Sequence, residues 1–185
     1  MNTRNNSQSF TLIEESRMTE ATDADIRRLL LECFPEDGGA FSDSRYWHGS
    51  GPAYSLLHRE GDRLEGHIGI VVRDIRWGTE PVRIAGIQNL AVSPRMRGRG
   101  IASALMRASM EEAGRRGIVF GLLFCVPELE RYYRSLDWKT LDVPVWMTDE
   151  EGHRCSIPDK NIAMALQIGE SPIPEGDIDL QGADW

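Results

Sequence analysis

Positive charge is concentrated in the segment SPRMRGRGIASAL, residues 93–105, in which three arginines and two glycines precede a helix-like pattern. The first turn of a helix exposes unpaired backbone N–H groups and attracts anions. Glycines let the backbone approach a bulky anion closely, and arginine side chains add charge-assisted hydrogen bonds. The segment therefore predicts a phosphate-binding turn, with a nucleic-acid contact or a solvated basic turn as the alternatives.

Two nucleotide-binding fingerprints do not match this turn. The Walker A pattern requires a lysine before Ser or Thr, and the turn contains no lysine. The dinucleotide pattern G-x-G-x-x-G begins at Gly98 but meets Ser103 at its last position, and the preceding strands are predicted to be antiparallel. The phosphate that this turn binds is therefore not expected to belong to a Walker-type nucleotide or to a dinucleotide bound in the Rossmann manner.

The composition is typical of a globular domain with an acidic balance. The 185 residues are 41% hydrophobic with a formal net charge of -8, which argues against an extensive nucleic-acid-binding surface. Residues 1–8 are polar, lack a signal-peptide core and are expected to be disordered, which leaves 9–185 as the folded domain. Cys33, Cys125 and Cys155 show no CxxC spacing, and the histidines show no metal-ligand spacing. We therefore expect reduced cysteines, no metal and a cytoplasmic protein.

Hydrophobic periodicity predicts one mixed α/β domain with the order β-α-β-β-β-α-β-α-β. The three middle strands predict an antiparallel meander, and the apolar segment 118–126 predicts a buried strand in a parallel or central position. Thr22 is the predicted N-cap of the first helix. The predicted strands are 10–14, 53–60, 63–77, 82–92, 118–126 and 161–168, and the predicted helices are 22–34, 102–113 and 127–138.

The basic turn fits a third phosphate-binding pattern. Arg97-Gly98-Arg99-Gly100-Ile101-Ala102 matches [QR]-x-x-G-x-[GA] between a strand and an amphipathic helix. This resembles the pyrophosphate loop of the GNAT superfamily of N-acetyltransferases, and the likeness covers most of the chain. It implies the single-domain GNAT fold, an α/β fold in which helices flank a mixed central sheet made of an antiparallel meander and then a parallel strand pair. It also implies acetyl-CoA as cosubstrate, with its pyrophosphate on residues 97–102 and its pantetheine and thioester beside the backbone of Leu90, Ala91 and Val92.

A second motif lies in the segment YRSLDW, residues 133–138. It resembles the family motif YxxxGF, with Asp137 in place of the glycine and Trp138 in place of the phenylalanine. In many family members that tyrosine protonates the departing thiolate of coenzyme A, and the resemblance gives this role to Tyr133, with Tyr132 as the second candidate. A phenol can supply such a proton. A purely structural core aromatic is the alternative.

Substrate-side residues follow from a likeness to two subgroups. Residues 45–75 resemble the aminoglycoside 2'-N-acetyltransferases and the rhizobial nodulation N-acyltransferases, both of which carry a tryptophan-containing loop and a histidine at the place of His67. The ending QGADW resembles the aminoglycoside enzymes and implies that Asp184 and Trp185 line the acceptor site. Where those enzymes have a glutamate, this chain has Asn89. Trp47 would form a wall for a sugar or aromatic ring, or anchor the loop to the core.

The acceptor amine must lose a proton before it attacks, because an ammonium ion has no lone pair. His67, on the long strand 63–77, is the predicted general base because its ordinary pKa lies near neutrality. A hydrogen-bonded structural histidine is the alternative, and Glu65 and Asp74 are weaker candidates. His48, in the aromatic loop, could face the substrate.

These observations together predict an acetyl-CoA-dependent N-acetyltransferase that acts by direct attack of a small-molecule primary amine, for which an amino sugar is one candidate. A longer-chain acyl-CoA N-acyltransferase of the nodulation type and a non-catalytic acyl-CoA sensor are the alternatives. No nucleic-acid or membrane partner is expected, and a homodimer is compatible with this class of enzyme.

Overall fold

Four α-helices and ten strands form within residues 9–47 and 50–185, the part of the chain that the computed structural model describes. The predicted disordered segment 1–8 and His48 lie outside it. The helices are α1 (Glu20–Cys33), α2 (Gly38–Phe41), α3 (Ile101–Arg115) and α4 (Glu130–Arg134). The strands are β1 (Thr11–Glu14), β2 (Tyr54–Glu60), β3 (Arg63–Trp77), β4 (Glu80–Val92), β5 (Phe120–Cys125), β6 (Lys139–Thr140), β7 (Val145–Thr148), β8 (Arg154–Ser156), β9 (Ile162–Gln167) and β10 (Ile178–Asp179).

The strands form one mixed sheet in the order β6-β9-β5-β4-β3-β10-β7-β8, with β2 also paired to β3, and β1 to β2. The predicted antiparallel meander is confirmed as β2, β3 and β4. The predicted central position of the apolar strand is confirmed as well, because β5 pairs in parallel with β4 and antiparallel with β9. The mixed α/β fold is therefore the predicted one.

The pairing of β4 with β5 is short. It extends over three residues of each strand, from Ile84 to Gly86 on β4 and from Phe120 to Leu122 on β5. Beyond Gly86 the two strands separate, and residues from both of them line a cavity between the strand ends. Backbone groups of a strand that has lost its neighbour need other hydrogen-bond partners. The separation therefore leaves the end of β4 available to a ligand.

Helices cover both faces of this part of the sheet. The residues that α3 buries are Ile101, Leu105, Met106, Ser109, Met110 and Ala113. Ala102, the first residue of the predicted helix 102–113, is half-buried, and the buried face begins one residue earlier at Ile101. On the opposite face, α1 buries Ile26, Leu29 and Leu30. Within the described residues, no helix combines the length and the apolar character needed to cross a membrane.

Three local features differ from the sequence prediction. The prediction that Thr22 caps α1 is wrong, because Thr19 Oγ1 accepts the Thr22 N–H at 3.2 Å and the helix begins at Glu20. The segment 127–138 forms a 3-10 turn followed by the short α4 rather than one helix. The short strands β6, β7, β8 and β10 were not predicted, since so few residues show no clear alternation.

The replacement of the motif glycine by Asp137 leaves the end of α4 intact. Asp137 adopts a φ of 68°, the left-handed region that glycine favours and that Asp tolerates better than most residues. The Trp138 N–H then donates to the Tyr133 carbonyl at 3.2 Å, which closes the helix in the manner of a glycine-ended turn. Tyr133 therefore keeps a defined position.

Candidate active site

A β-bulge interrupts β4 where it borders the opening. The pairs His67–Ala91 and Gly69–Gln88 leave two residues of β4, Asn89 and Leu90, opposite one residue of β3. Asn89 has a φ of 50°, which asparagine adopts more readily than most residues. An extra residue bends the strand and redirects its side chains. Asn89 and Leu90 both line the cavity between the strand ends.

Three adjoining cavities follow the opening. The tryptophan cavity, of about 390 Å³, is lined by residues that include Trp47, Asn89, Tyr133, Asp184 and Trp185. The strand cleft, of about 280 Å³, is lined by residues that include Leu90, Ala91, Val92, Arg97 and Tyr133. The loop cradle, of about 260 Å³, is lined by residues that include Val92, Arg97, Gly98, Gly100, Ile101 and Ala102. Shared lining residues join the three into one path.

The loop cradle has the features that a pyrophosphate requires. Gly98 and Gly100 both have a φ of 76°, and a Cβ at either position would enter empty space rather than protein. Gly100 is the N-cap of α3, so the first N–H groups of the helix lie beside the cradle without partners in the preceding turn. A dianion could approach these N–H groups closely. The residues present therefore fit the group that the sequence predicted.

The three arginines of the basic turn have different surroundings. Arg97 lines both the strand cleft and the loop cradle, and its Nε donates to the Val92 carbonyl at 3.3 Å. Arg95 pairs with Glu65, a fully buried carboxylate, and holds the pKa of that carboxyl below its usual range. Arg99 lies on the surface, 3.9 Å from Glu60, and lines none of the three cavities. Of these three side chains, Arg97 is the one placed on the path.

Tyr133 lies at the junction of the tryptophan cavity and the strand cleft, with 8% of its surface exposed. Burial raises the pKa of its phenol, so the group carries its proton at neutral pH. Tyr132 lies further along, beside the loop cradle, with its hydroxyl 3.4 Å from Ser103 Oγ. Burial raises the pKa of the nearby Cys125 thiol to about 11, so this thiol is protonated and a poor nucleophile.

The far wall of the tryptophan cavity is formed by the last residues of the chain. Asp184 is 6% exposed, and the Trp185 ring lies 5.2 Å from the Phe124 ring. Arg73, half-buried on β3, holds this segment by donating from Nη1 to the Ala183 carbonyl at 2.6 Å. The guanidinium also lies 5.4 Å from the centre of the Trp185 ring. The wall thus combines a buried carboxylate with an indole ring.

The aromatic loop forms the opposite wall. Trp47 packs edge-on against Phe41 with ring centres 4.5 Å apart and also lines the tryptophan cavity, so it is both a loop anchor and a wall. Two amide side chains of β4 hold the loop: Asn89 Nδ2 donates to the Arg45 carbonyl at 2.7 Å, and Gln88 Nε2 donates to the Ser50 carbonyl at 2.9 Å.

Arg45 was not singled out from the sequence, although it is buried. Its side chain pairs with Glu15 and, at 2.5 Å, with Asp23. The two acids lie more than twenty residues away in the sequence, so the pairing left no local signal. Four lining residues were missed for the same reason, because they come from the end of α1, from β5 and from the turn before α4: Cys33, Phe34, Phe124 and Leu129.

The structure does not bring His67 to any of the three cavities. Its side chain is 1% exposed, with Nδ1 3.0 Å from the Asn89 carbonyl oxygen and Nε2 3.3 Å from Ser55 Oγ. Burial lowers the pKa of the imidazole to about 4. A general base must reach the proton that it removes. The weaker candidate Glu65 is equally enclosed, and Asp74 faces Arg83 at 3.7 Å on the surface.

Among the described residues, one group brings possible metal ligands together. Asp149, Glu151 and His153 have ligand atoms within 4.8 Å of one another at the tip of the β7–β8 hairpin. The Asp149 carboxylate accepts the N–H groups of Glu151 and His153, so it already stabilises the turn. His153 is exposed at this tip, and its Nδ1 lies 3.6 Å from the Asp149 carboxylate.

The family follows from comparison with known proteins. Residues 15–141, more than half of the chain, match the family described as the acetyltransferase (GNAT) domain. The chain belongs to this family and is an acetyl-CoA-dependent N-acetyltransferase, as predicted. Structures with the same fold hold coenzyme A or acetyl-CoA.

Individual relatives are more distant. An aminoglycoside 2'-N-acetyltransferase from Mycolicibacterium fortuitum is 25% identical over 158 residues, which cover 85% of this chain and 78% of the relative. A GNAT family N-acetyltransferase from Escherichia coli in complex with CoA gives a TM-score of 0.67 at 14% identity, covering 95% of this chain and 91% of that chain. A GCN5-related N-acetyltransferase from Kribbella flavida gives a TM-score of 0.52 at 23% identity. The matched region covers 71% of this chain but only 33% of that chain.

Proposed function

We propose that the protein transfers the acetyl group of acetyl-CoA to a primary amine of an amino sugar by direct attack on the thioester. The observation that carries this proposal is the continuous path from the loop cradle through the strand cleft to the tryptophan cavity. The likeness to an aminoglycoside 2'-N-acetyltransferase supports the acceptor class.

The cosubstrate would lie along the first two cavities. The N–H groups at the start of α3 and the Arg97 guanidinium would hold the pyrophosphate. The pantetheine would follow Leu90, Ala91 and Val92, where β4 has separated from β5. The thioester would then lie beside the bulge and Tyr133.

The tryptophan cavity suits a cationic sugar. Asp184 supplies a buried carboxylate that can pair with an ammonium group, and Asp37 supplies an exposed one at the mouth. The indole rings of Trp47 and Trp185 offer flat apolar surfaces to a sugar ring, and they attract cations over their faces. Phe34 and Phe124 extend the apolar lining. An acceptor with several amines would use both the carboxylates and the rings.

The chemistry then needs few groups. The acceptor ammonium loses a proton to water at the cavity mouth, which is bordered by the exposed Asp37 and Lys160. The amine nitrogen attacks the thioester carbonyl carbon, and a backbone N–H near Val92 stabilises the resulting oxyanion. The C–S bond breaks as Tyr133 gives its proton to the sulfur, and the surplus amine proton returns through water to the tyrosinate. The products are the N-acetyl sugar and the coenzyme A thiol.

The test combines binding with an acceptor screen. Acetyl-CoA, decanoyl-CoA and free coenzyme A are titrated by calorimetry, and thiol release is followed with amino sugars, simple aliphatic amines and peptides as acceptors. We expect acetyl-CoA binding and turnover of amino sugars carrying two or more amines. D184N should raise the acceptor KM, while D62N, in an exposed turn, should not.

Three results would oppose the proposal in different ways. A preference for decanoyl-CoA would favour the nodulation-type activity. Turnover of peptides but of no amino sugar would refute the acceptor class. An unchanged acceptor KM in D184N would remove the buried carboxylate from substrate binding.

A further inference from the structure

We infer that His67 is a positioning residue that fixes the β4 bulge and, through it, the acceptor side of the site; this inference rests on the proposed function. The imidazole is enclosed between strands rather than presented to a substrate. Leu57 of β2 and Ala91 of β4 lie directly opposite it, and both belong to the core cluster that α1 covers. Its effect on catalysis must therefore pass through the residues that it contacts.

The hydrogen bonds of the ring define one protonation state. The Asn89 carbonyl oxygen can only accept, so His67 Nδ1 carries the proton and donates to it at 3.0 Å. Nε2 is then unprotonated and accepts from the Ser55 hydroxyl at 3.3 Å. The positive charge of Arg45 acts against a second proton on the ring. A neutral imidazole satisfies both partners at once.

The bulge is the feature that needs this donor. Because Asn89 and Leu90 lie opposite a single residue of β3, the regular strand pairing is interrupted at that point. Asn89 also holds a left-handed backbone conformation, which asparagine adopts less readily than glycine. The His67 ring reaches across from β3 and binds the carbonyl of this same residue. The side chain thus supplies a hydrogen bond within the bulge, where the regular pairing is interrupted.

The contact continues to the acceptor wall. Asn89 Nδ2 donates to the Arg45 carbonyl, two residues before Trp47, and Asn89 itself lines the tryptophan cavity. A chain of contacts therefore runs from Ser55 through His67 and Asn89 to the loop that carries Trp47. The loop cradle at residues 97–102 is outside this chain. Loss of the His67 donor should disturb acceptor binding more than cofactor binding.

Three substitutions separate this role from proton transfer. H67N keeps a donor near the position of Nδ1, H67Q places its amide near the position of Nε2, and H67A has neither. We expect H67A and H67Q to raise the acceptor KM roughly ten-fold, the usual effect of losing one buried hydrogen bond, while the acetyl-CoA Kd stays near that of the wild type. In H67N the acceptor KM should stay close to that of the wild type. The decrease of kcat/KM at low pH, the acid limb of the pH profile, should also be the same as in the wild type. H153N, at the exposed hairpin tip, is the matched control.

A second measurement does not depend on the acceptor. Amide hydrogen exchange at Leu90 and Ala91 in the unliganded protein should be faster in H67A and H67Q and near wild type in H67N. If no amine is acetylated by the wild type, the proposed function fails while this measurement still decides the role of His67. Equal exchange in H67N and H67Q would overturn the inference. So would an H67N enzyme that keeps its acceptor KM but loses the acid limb, because that result would identify a general base.

Discussion

The indole ring of Trp185 lies directly against the backbone of Gly86 on β4. A Cβ at position 86 would lie 2.8 Å from Trp185 Nε1 and closer still to two carbons of the ring. Gly86 is also the last residue of β4 that pairs with β5. Trp185 therefore occupies the point where the two strands separate, and it forms part of the far wall of the tryptophan cavity.

The substitution G86A should displace this ring. Because the neighbouring atoms are a packed indole, we expect the free energy of unfolding to fall by about 1–3 kcal/mol and the acceptor KM to rise, with the acetyl-CoA Kd unchanged. Chemical denaturation and steady-state kinetics measure the two effects. The control is G39A, because a Cβ there meets no atom within 4 Å. A stable G86A enzyme with wild-type acceptor KM would show that the position of Trp185 is irrelevant to the acceptor.

Removal of the Tyr133 hydroxyl should slow the chemical step. A general acid typically contributes roughly 10²–10⁴-fold to a rate, so Y133F should lower kcat within that range and leave the acetyl-CoA Kd unchanged. Thiol release under saturating acetyl-CoA is the appropriate assay. Y132F, which alters the neighbouring ring beside the loop cradle, should retain most of the rate. An unaltered kcat in Y133F would mean that the sulfur is protonated by another group.

The arginines of the basic turn should respond differently to alanine. R97A should weaken acetyl-CoA binding roughly 10–100-fold, since a charge-assisted contact to the pyrophosphate is lost. R99A should weaken it less, because Arg99 lies outside the three cavities. R95A should mainly destabilise the fold, because Glu65 would lose one of the two arginines, Arg63 and Arg95, that compensate its buried charge. Calorimetry and thermal unfolding of the three variants distinguish these effects, and equal losses of affinity in all three would contradict them.

The buried imidazole predicts a pH dependence of stability. The pKa of His67 is about 4 in the fold and 6.5 ordinarily, so between these values the unfolded chain binds a proton that the folded chain does not. The contribution of the neutral ring is therefore fully present above pH 6.5 and is lost as the pH falls towards 4, by up to about 3 kcal/mol. H67N lacks this titration. The free energy of unfolding of the wild type minus that of H67N should decrease as the pH is lowered through this window, and a constant difference would contradict the neutral buried state.

Sequence reasoning predicted most of the elements that carry the site. The loop of residues 97–102 was identified because a phosphate cradle is built from contiguous backbone at the start of a helix. Tyr133 was placed by a motif of six residues, and the meander by regular alternation in strands. Each of these features depends on hydrogen bonds and side-chain spacing within a short stretch of chain.

Other features depend on residues that are distant in the sequence. Periodicity places His67 on one face of a strand, but which groups enclose it depends on the register of β2 and β4. Neither the bulge at Asn89 nor the burial of Arg45 by Glu15 and Asp23 has a local signature.

The amino-acid sequence by itself thus determined the fold class and the family, because hydrophobic periodicity and short contiguous motifs carry that information, and it predicted residues 97–102 as the cofactor loop. Only the tertiary structure decided that Arg97 is the arginine on the path, that His67 faces a backbone carbonyl instead of a substrate, and that Trp185 meets Gly86. Those relationships arise where strands pair with one another, where β4 bulges, and where β4 and β5 separate. The contacts join residues that are distant in the sequence, so their positions depend on the packing of the whole domain.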